Sequence, residues 1–125
     1  MIQSRWSQNL LLGFLVVVLA LLVWWGWSNG VRSAQSKQVV KDAQSMVAAF
    51  KEFHNDQNRY PANTEFQDVD IMRAYLSNFP PQSFTTNLCM KSFDYFNDTP
   101  QTYELRFCLP KAVNGFKEGL NTLHQ

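Results

Sequence analysis

Cys89 and Cys108 are the two cysteines of this chain, and His54 and His124 its two histidines. Chemistry by these side chains would need partners at telling distances. His54 stands two residues before Asp56 at the end of a helical pattern, and positions i and i+2 of a helix do not share a face. His124 is one residue from the end of the chain. Neither cysteine has a base at a recognisable spacing, and no Gly-rich phosphate loop or G-x-S-x-G occurs. The expectation is therefore no enzyme and no cofactor, with both histidines as ordinary surface residues. Asp94 and Asp98 offer two carboxylates, but calcium takes roughly six to eight oxygen ligands and no further pattern accompanies them, so a solvated turn is the simpler reading. Asn97-Asp98-Thr99 matches a glycosylation sequon, a pattern too short to carry weight alone.

The cysteines remain as partners for each other. No nearby histidine pair completes a metal site with them, so one Cys89–Cys108 disulfide is the economical reading, and it requires an oxidising compartment. Two reduced, buried thiols in a cytosolic head are the alternative. A bridge closing a loop of about twenty residues would contribute on the order of 3 kcal/mol.

The elements that must position these groups begin with "LLLGFLVVVLALLVWWGW", Leu10 to Trp27, which has no charge and no strongly polar side chain. Its length is close to that needed to cross about 30 Å of hydrocarbon as a helix. A cleaved signal would have a shorter apolar run and small residues at its exit; Trp24, Trp25 and Trp27 instead suit an interfacial belt, so the segment reads as a retained membrane span. A buried core helix is the other competing reading. The division expected is a short cytoplasmic N-terminus (1–9), a transmembrane helix (10–27), an amphipathic continuation (28–58) and a small extracytoplasmic head (59–125). Orientation rests on the cysteines, because Arg32, Lys37 and Lys41 after the span outweigh Arg5 before it and the positive-inside rule leans the other way.

The formal net charge is +1, and every acidic residue and every basic residue except Arg5 lies after the span. The chain after the span is therefore neutral by count, and no run of Lys and Arg interleaved with aromatics marks a nucleic-acid surface. Past the span, Val39, Ala43, Met46, Val47, Phe50 and Phe53 draw an apolar stripe, with Lys37, Lys41, Asp42, Gln44, Lys51 and Glu52 on the other faces. One helix continuing to about Asp56 is predicted, and its stripe needs a sheet to cover it. Pro61 fixes its own φ and pushes Tyr60 out of the α region, so the helix ends at or before Arg59.

Beyond the stop, Asp68 is placed to cap a short helix over "VDIMRAYLS", with Val69, Met72 and Leu76 on one side and Pro80-Pro81 preventing continuation. "LCMKSFDYF" and "TYELRFCLP" read as a β-hairpin. In its second strand Tyr103, Leu105, Phe107 and Leu109 alternate with Glu104, Arg106 and Cys108. A turn centred between Asp98 and Thr99 sets Cys89 opposite Cys108 but Lys91 opposite Arg106. A shift by one pairs Phe93 with Leu105 and Tyr95 with Tyr103 but parts the cysteines, unless a bulge between Lys91 and Phe93 reconciles the two.

From Ala34 to Pro61 the chain resembles the type IV pilin and type II secretion pseudopilin family, with Val39, Val40, Asp42, Ala49, Phe53, Asp56, Arg59, Tyr60 and Pro61 in matching places. The resemblance implies an α+β fold in which a long N-terminal helix, its first part in the membrane, packs on a small C-terminal antiparallel sheet. Arg59-Tyr60-Pro61 would be the family's helix-end motif. The resemblance also implies a bacterial cytoplasmic membrane, sister subunits and an assembly, secretion or DNA-uptake machine as partners, and a membrane assembly helix carrying Gln8, Gly13, Phe14, Trp24 and Trp25. Family precursors have a basic leader ending in Gly, cut before Phe. Gly13-Phe14 has that dipeptide, but Leu10, Leu11 and Leu12 precede it. Counting back from Tyr60-Pro61 puts Gln8 where the family has a glutamate that meets a neighbour's amine, with no leader ahead of it. Gln8 can hydrogen-bond but cannot neutralise an amine. A single-pass anchored binding module that does not polymerise is the alternative function.

Overall fold

The computed structural model describes residues 2–125, with side chains from Arg5 onward. It divides into two compact units, Met1–Arg32 and Ser33–Gln125. A single helix, α1 (Ile2–Gln57), supplies the described residues of the first and opens the second.

Among the described residues of the first unit most apolar side chains are uncovered. Leu12, Phe14, Leu19, Trp24 and Trp25 are all exposed, and the helix is long and apolar enough to cross a membrane. Helical backbone satisfies its own hydrogen bonds, which is the condition for spanning hydrocarbon.

In the second unit the predicted stripe is buried. Val39, Ala43, Met46 and Phe50 form one core with Met72, Phe79, Tyr95, Tyr103, Leu105, Phe107 and Leu109, and Val47 packs against it half-buried. Phe53 is buried too, with its ring 5.1 Å from that of Tyr75. The elements after α1 are α2 (Asn63–Gln67), α3 (Val69–Arg73), β1 (Phe93–Thr99), β2 (Thr102–Leu109) and β3 (Gly119–His124). The strands form one antiparallel sheet in the order β1-β2-β3. In β2 the expected alternation holds up to Phe107 and fails at Cys108: Tyr103, Leu105, Phe107 and Leu109 are buried and Glu104 and Arg106 half-exposed, but Cys108, expected on the other face with them, is buried too, bridged to Cys89.

The helix stops as its local chemistry requires. Asn58 takes a positive φ of 57°, a conformation that Asn tolerates at a helix C-terminus, and its N–H donates to the His54 carbonyl at 2.8 Å. Asp68 caps α3, accepting at Oδ1 from the N–H groups of Asp70 (3.0 Å) and Ile71 (3.4 Å).

Several expectations need correction. The first strand starts at Phe93 rather than near Leu88, and neither register anticipated for the hairpin forms: Phe93 pairs with Phe107, Tyr95 with Leu105 and Phe96 with Glu104. The irregularity lies between Phe96 and Thr99, not between Lys91 and Phe93, and the turn falls at Pro100-Gln101. Residues 83–92 stay out of the ladder because Ser83 and Ser92 tie them into a loop. Ser92 Oγ accepts from the Phe84 N–H (2.7 Å), and the Ser92 N–H donates to Ser83 Oγ (2.8 Å). Asp42, expected on a solvated face, is buried.

Candidate functional site

The residues implied as an assembly helix share one element, and α1 sets their spacing. Gln8, Leu11, Leu12 and Leu15 line one shallow groove, and Val18, Leu21, Leu22, Trp24 and Trp25 line another. Spacings of three and four put these side chains on common faces. Phe14 is exposed, and a Cβ added at Gly13 would meet nothing within 4 Å. This face offers shape and apolar area, with Gln8 as an uncharged polar group at one end.

Arg59, Tyr60 and Pro61 work as a staple between the end of α1 and the sheet. The Arg59 guanidinium grips the Glu65 carboxylate through both nitrogens, Nη2 to Oε2 at 3.0 Å, and its carbon lies 5.2 Å from the Phe53 ring centroid. This bidentate contact holds the Glu65 carboxyl below its ordinary pKa, with the Ala62 N–H (3.1 Å) adding a third hydrogen bond, and it raises that of Arg59. The Tyr60 N–H donates to the Pro100 carbonyl at 2.7 Å, and its ring meets Tyr103 edge-on at 4.7 Å. Pro61 is fully buried, and its carbonyl accepts from the Tyr95 hydroxyl. Sequence reasoning missed Glu65, although an acid three residues after the Ala62 helix start is a recognisable first-turn signal.

Around this staple Phe50, Tyr95 and Tyr103 pack with Phe50's centroid 4.9 Å from each tyrosine. Burial pushes the Tyr103 hydroxyl up to about 12 and that of Tyr95 higher. His54, expected as an ordinary surface histidine, lies over Tyr60 at 4.6 Å, with Nε2 3.0 Å from Gln101 Oε1. Burial also raises the Asp42 carboxyl, against the opposing help of Gln38, whose Nε2 donates to Oδ1 at 3.0 Å.

Cys89 and Cys108 are joined, their Cα atoms 6.3 Å apart. The bridge does not link facing strand residues. It ties a loop to the sheet, and the Ser92 carbonyl takes the Cys108 N–H (2.9 Å) that a first strand would have used there. Asp94 pairs with Lys91 at 2.7 Å. The Asn97 amide donates to the Thr99 and Thr102 carbonyls, both at 2.8 Å, closing the hairpin turn. Among the described residues no group of three or more His, Cys, Asp or Glu is placed to hold a metal ion.

Comparison with protein-family models, with curated proteins and with solved structures finds no match.

Proposed function

We propose that this chain is a structural, pilin-like subunit held in a bacterial cytoplasmic membrane by the first part of α1, with its N-terminus in the cytoplasm and the disulfide-bearing head outside. The observation that carries this reading is α1 itself. One uninterrupted helix is uncovered and apolar over Leu10–Trp27, then contributes its stripe from Val39 to Phe53 to a sheet-covered core. Such an element presents a bare apolar cylinder for packing beside others in a membrane, where van der Waals fit rather than hydrophobic drive decides association. Subunits of a type IV pilus, a type II secretion system or a DNA-uptake machine would meet along that cylinder, with the heads forming the outer surface.

Gln8 favours a second reading, an anchored module that binds a partner without polymerising, because a carboxylate in lipid is tolerated when paired and an amide cannot supply that pairing. Intact mass of the protein from native membranes, taken with and without reduction and alongside chemical cross-linking, separates the two. A ladder of cross-linked multiples supports the subunit; a lone species carrying an intact disulfide supports the module.

A further inference from the structure

Within the unit Ser33–Gln125, β2 runs opposite to α1. Near its start Gln101 reaches His54 and Tyr103 meets Phe50; just past its end the Lys111 N–H donates to Ser36 Oγ at 2.9 Å. The end of the head where α1 enters therefore also holds Cys108, its bridged partner Cys89, and the first residues of β3.

Three large apolar side chains lie uncovered there: Met90 is 90% exposed, Leu88 56% and Leu120 48%. Leu88 and Met90 flank Cys89, whose disulfide partner Cys108 is the register partner of Leu120. Leu88 Cδ1 lies 3.9 Å from where a Cβ on Gly119 would stand, which brings the loop against the start of β3. The loop is held firmly. The Leu88 and Cys89 N–H groups both donate to Thr86 Oγ1 (3.2 and 3.0 Å), and the Thr86 N–H donates to the Cys89 carbonyl (3.0 Å). Exposed apolar residues on a pre-organised tip mark an interaction surface.

The charges say what kind of surface it fits. With nine Lys and Arg against ten Asp and Glu, the unit Ser33–Gln125 is close to neutral but polarised. Lys37, Lys111 and Lys117 are exposed at this end, against Glu118 and the mutually paired Lys91 and Asp94. At the opposite end Glu52, Asp56, Glu65, Asp68 and Asp70 outnumber Lys51, Arg59 and Arg73. An apolar tip rimmed by lysines suits an anionic lipid surface. Connectivity favours the same partner, since only five residues of chain separate Trp27 from Ser33.

We propose that Leu88, Met90 and Leu120, rimmed by Lys111 and Lys117, form a membrane-docking surface that settles the head into the headgroup layer of an anionic bilayer. The proposal rests on the membrane-anchored reading of α1, and its test keeps the two apart. All four tryptophans, Trp6, Trp24, Trp25 and Trp27, lie in the first unit and report on the anchor. Met90 reports on docking, with the fully buried Met46 and Met72 as internal references for an intact head.

The full chain, one copy per nanodisc, is placed in phosphatidylcholine alone or mixed with phosphatidylglycerol. Tryptophan quenching by brominated lipid is read first; Met90 oxidation by the water-soluble oxidant chloramine-T is then followed by mass spectrometry. The expected result is slower Met90 oxidation in the anionic discs, with roughly fivefold of that protection lost for each lysine removed in K111E and K117E. L88D should lose the protection while Met46 and Met72 stay unreactive. Equal Met90 rates in both lipids with normal quenching, or protection untouched by K111E and K117E, would overturn the docking proposal alone. Protection that appears only with two copies per disc would overturn it in favour of a subunit contact. Absent quenching would overturn the anchor.

Discussion

The two stretches of α1 share one backbone and opposite surroundings. From Leu10 to Trp27 apolar residues occupy every side of the helix and stay exposed; from Ser33 to Gln57 they keep mainly to one side, and Val39, Ala43, Met46 and Phe50 are buried. A sheet covers a stripe but cannot wrap a cylinder, so the second pattern calls for a folded head and the first for a solvent as apolar as itself. The difference lies in what fills the remaining faces. Lys37, Lys41, Gln44, Lys51 and Glu52 require water on the second stretch, and nothing on the first requires it.

The largest effect should come from putting the same charge into each stretch. Phe50 is fully buried against both tyrosines, and removing such a ring alone costs about 3–5 kcal/mol, so F50K should leave the head without a protease-resistant fold. L19K should leave the head resistant and instead weaken membrane retention, a central lysine costing roughly 2.5–3.5 kcal/mol on insertion. Limited proteolysis and alkaline carbonate extraction of both variants give the answer, and a head unfolded by L19K would break the comparison.

That stripe was legible because helical periodicity survives without knowledge of the partner, and so were the stop at Tyr60-Pro61, the Asp68 cap and the alternation of β2 up to Phe107. The start of β1 was not. "LCMKSF" carries apolar and aromatic residues that suit a strand, but Ser83, Ser92 and the bridge capture it as a loop, and no local pattern encodes a hydrogen bond across nine residues. Nor was β3 legible. "GLNTLH" has little strand preference, and it pairs because β2 would otherwise expose an edge. Asp42 was misplaced for a related reason: the buried face of α1 is wider than the stripe, taking in Ser36, Val40 and Ala49 as well. Arg59, Tyr60 and Pro61 were visible as a helix end, whereas their grip on Glu65, Pro100 and Tyr95 depends on tertiary placement.

The next effect sharpens the head's side of the comparison. C89S/C108S should lower the stability of the head by about 3 kcal/mol, the share expected for freeing a loop of this length, and leave membrane extraction unchanged. Thermal denaturation of the full chain with and without reductant measures it. A wild-type transition indifferent to reductant would show that Ser83, Ser92 and Thr86 hold the loop by themselves.

Tyr95 and Tyr103 make the head sensitive to alkali in a way the first stretch cannot be, since it has no tyrosine. Their folded pKa values are raised, Tyr103 to about 12 and Tyr95 beyond it. Their contribution is therefore complete below the unfolded value near 10 and is lost as pH climbs toward the folded ones. The share of phenolate absorbance that Y95F and Y103F remove should appear together with loss of the head's structure rather than before it. Y103F should push the alkaline midpoint upward.

The smallest effect belongs to Arg59 and Glu65, whose side chains remain 39% and 21% exposed, so solvent screens the pair. A double-mutant cycle with R59A and E65A should return a coupling of roughly 0.5–1 kcal/mol, the upper part of the range for accessible pairs, because the contact is bidentate and the guanidinium also covers Phe53. Glu65 titrates below its ordinary value when folded, so this coupling is present at neutral pH and disappears as acid protonates the carboxylate. R59K keeps the charge but not the fork. If R59K retains the full coupling, charge alone holds the turn; if it loses most of it, the planar grip on Glu65 is what fixes the point where α1 ends and the chain turns back toward the sheet.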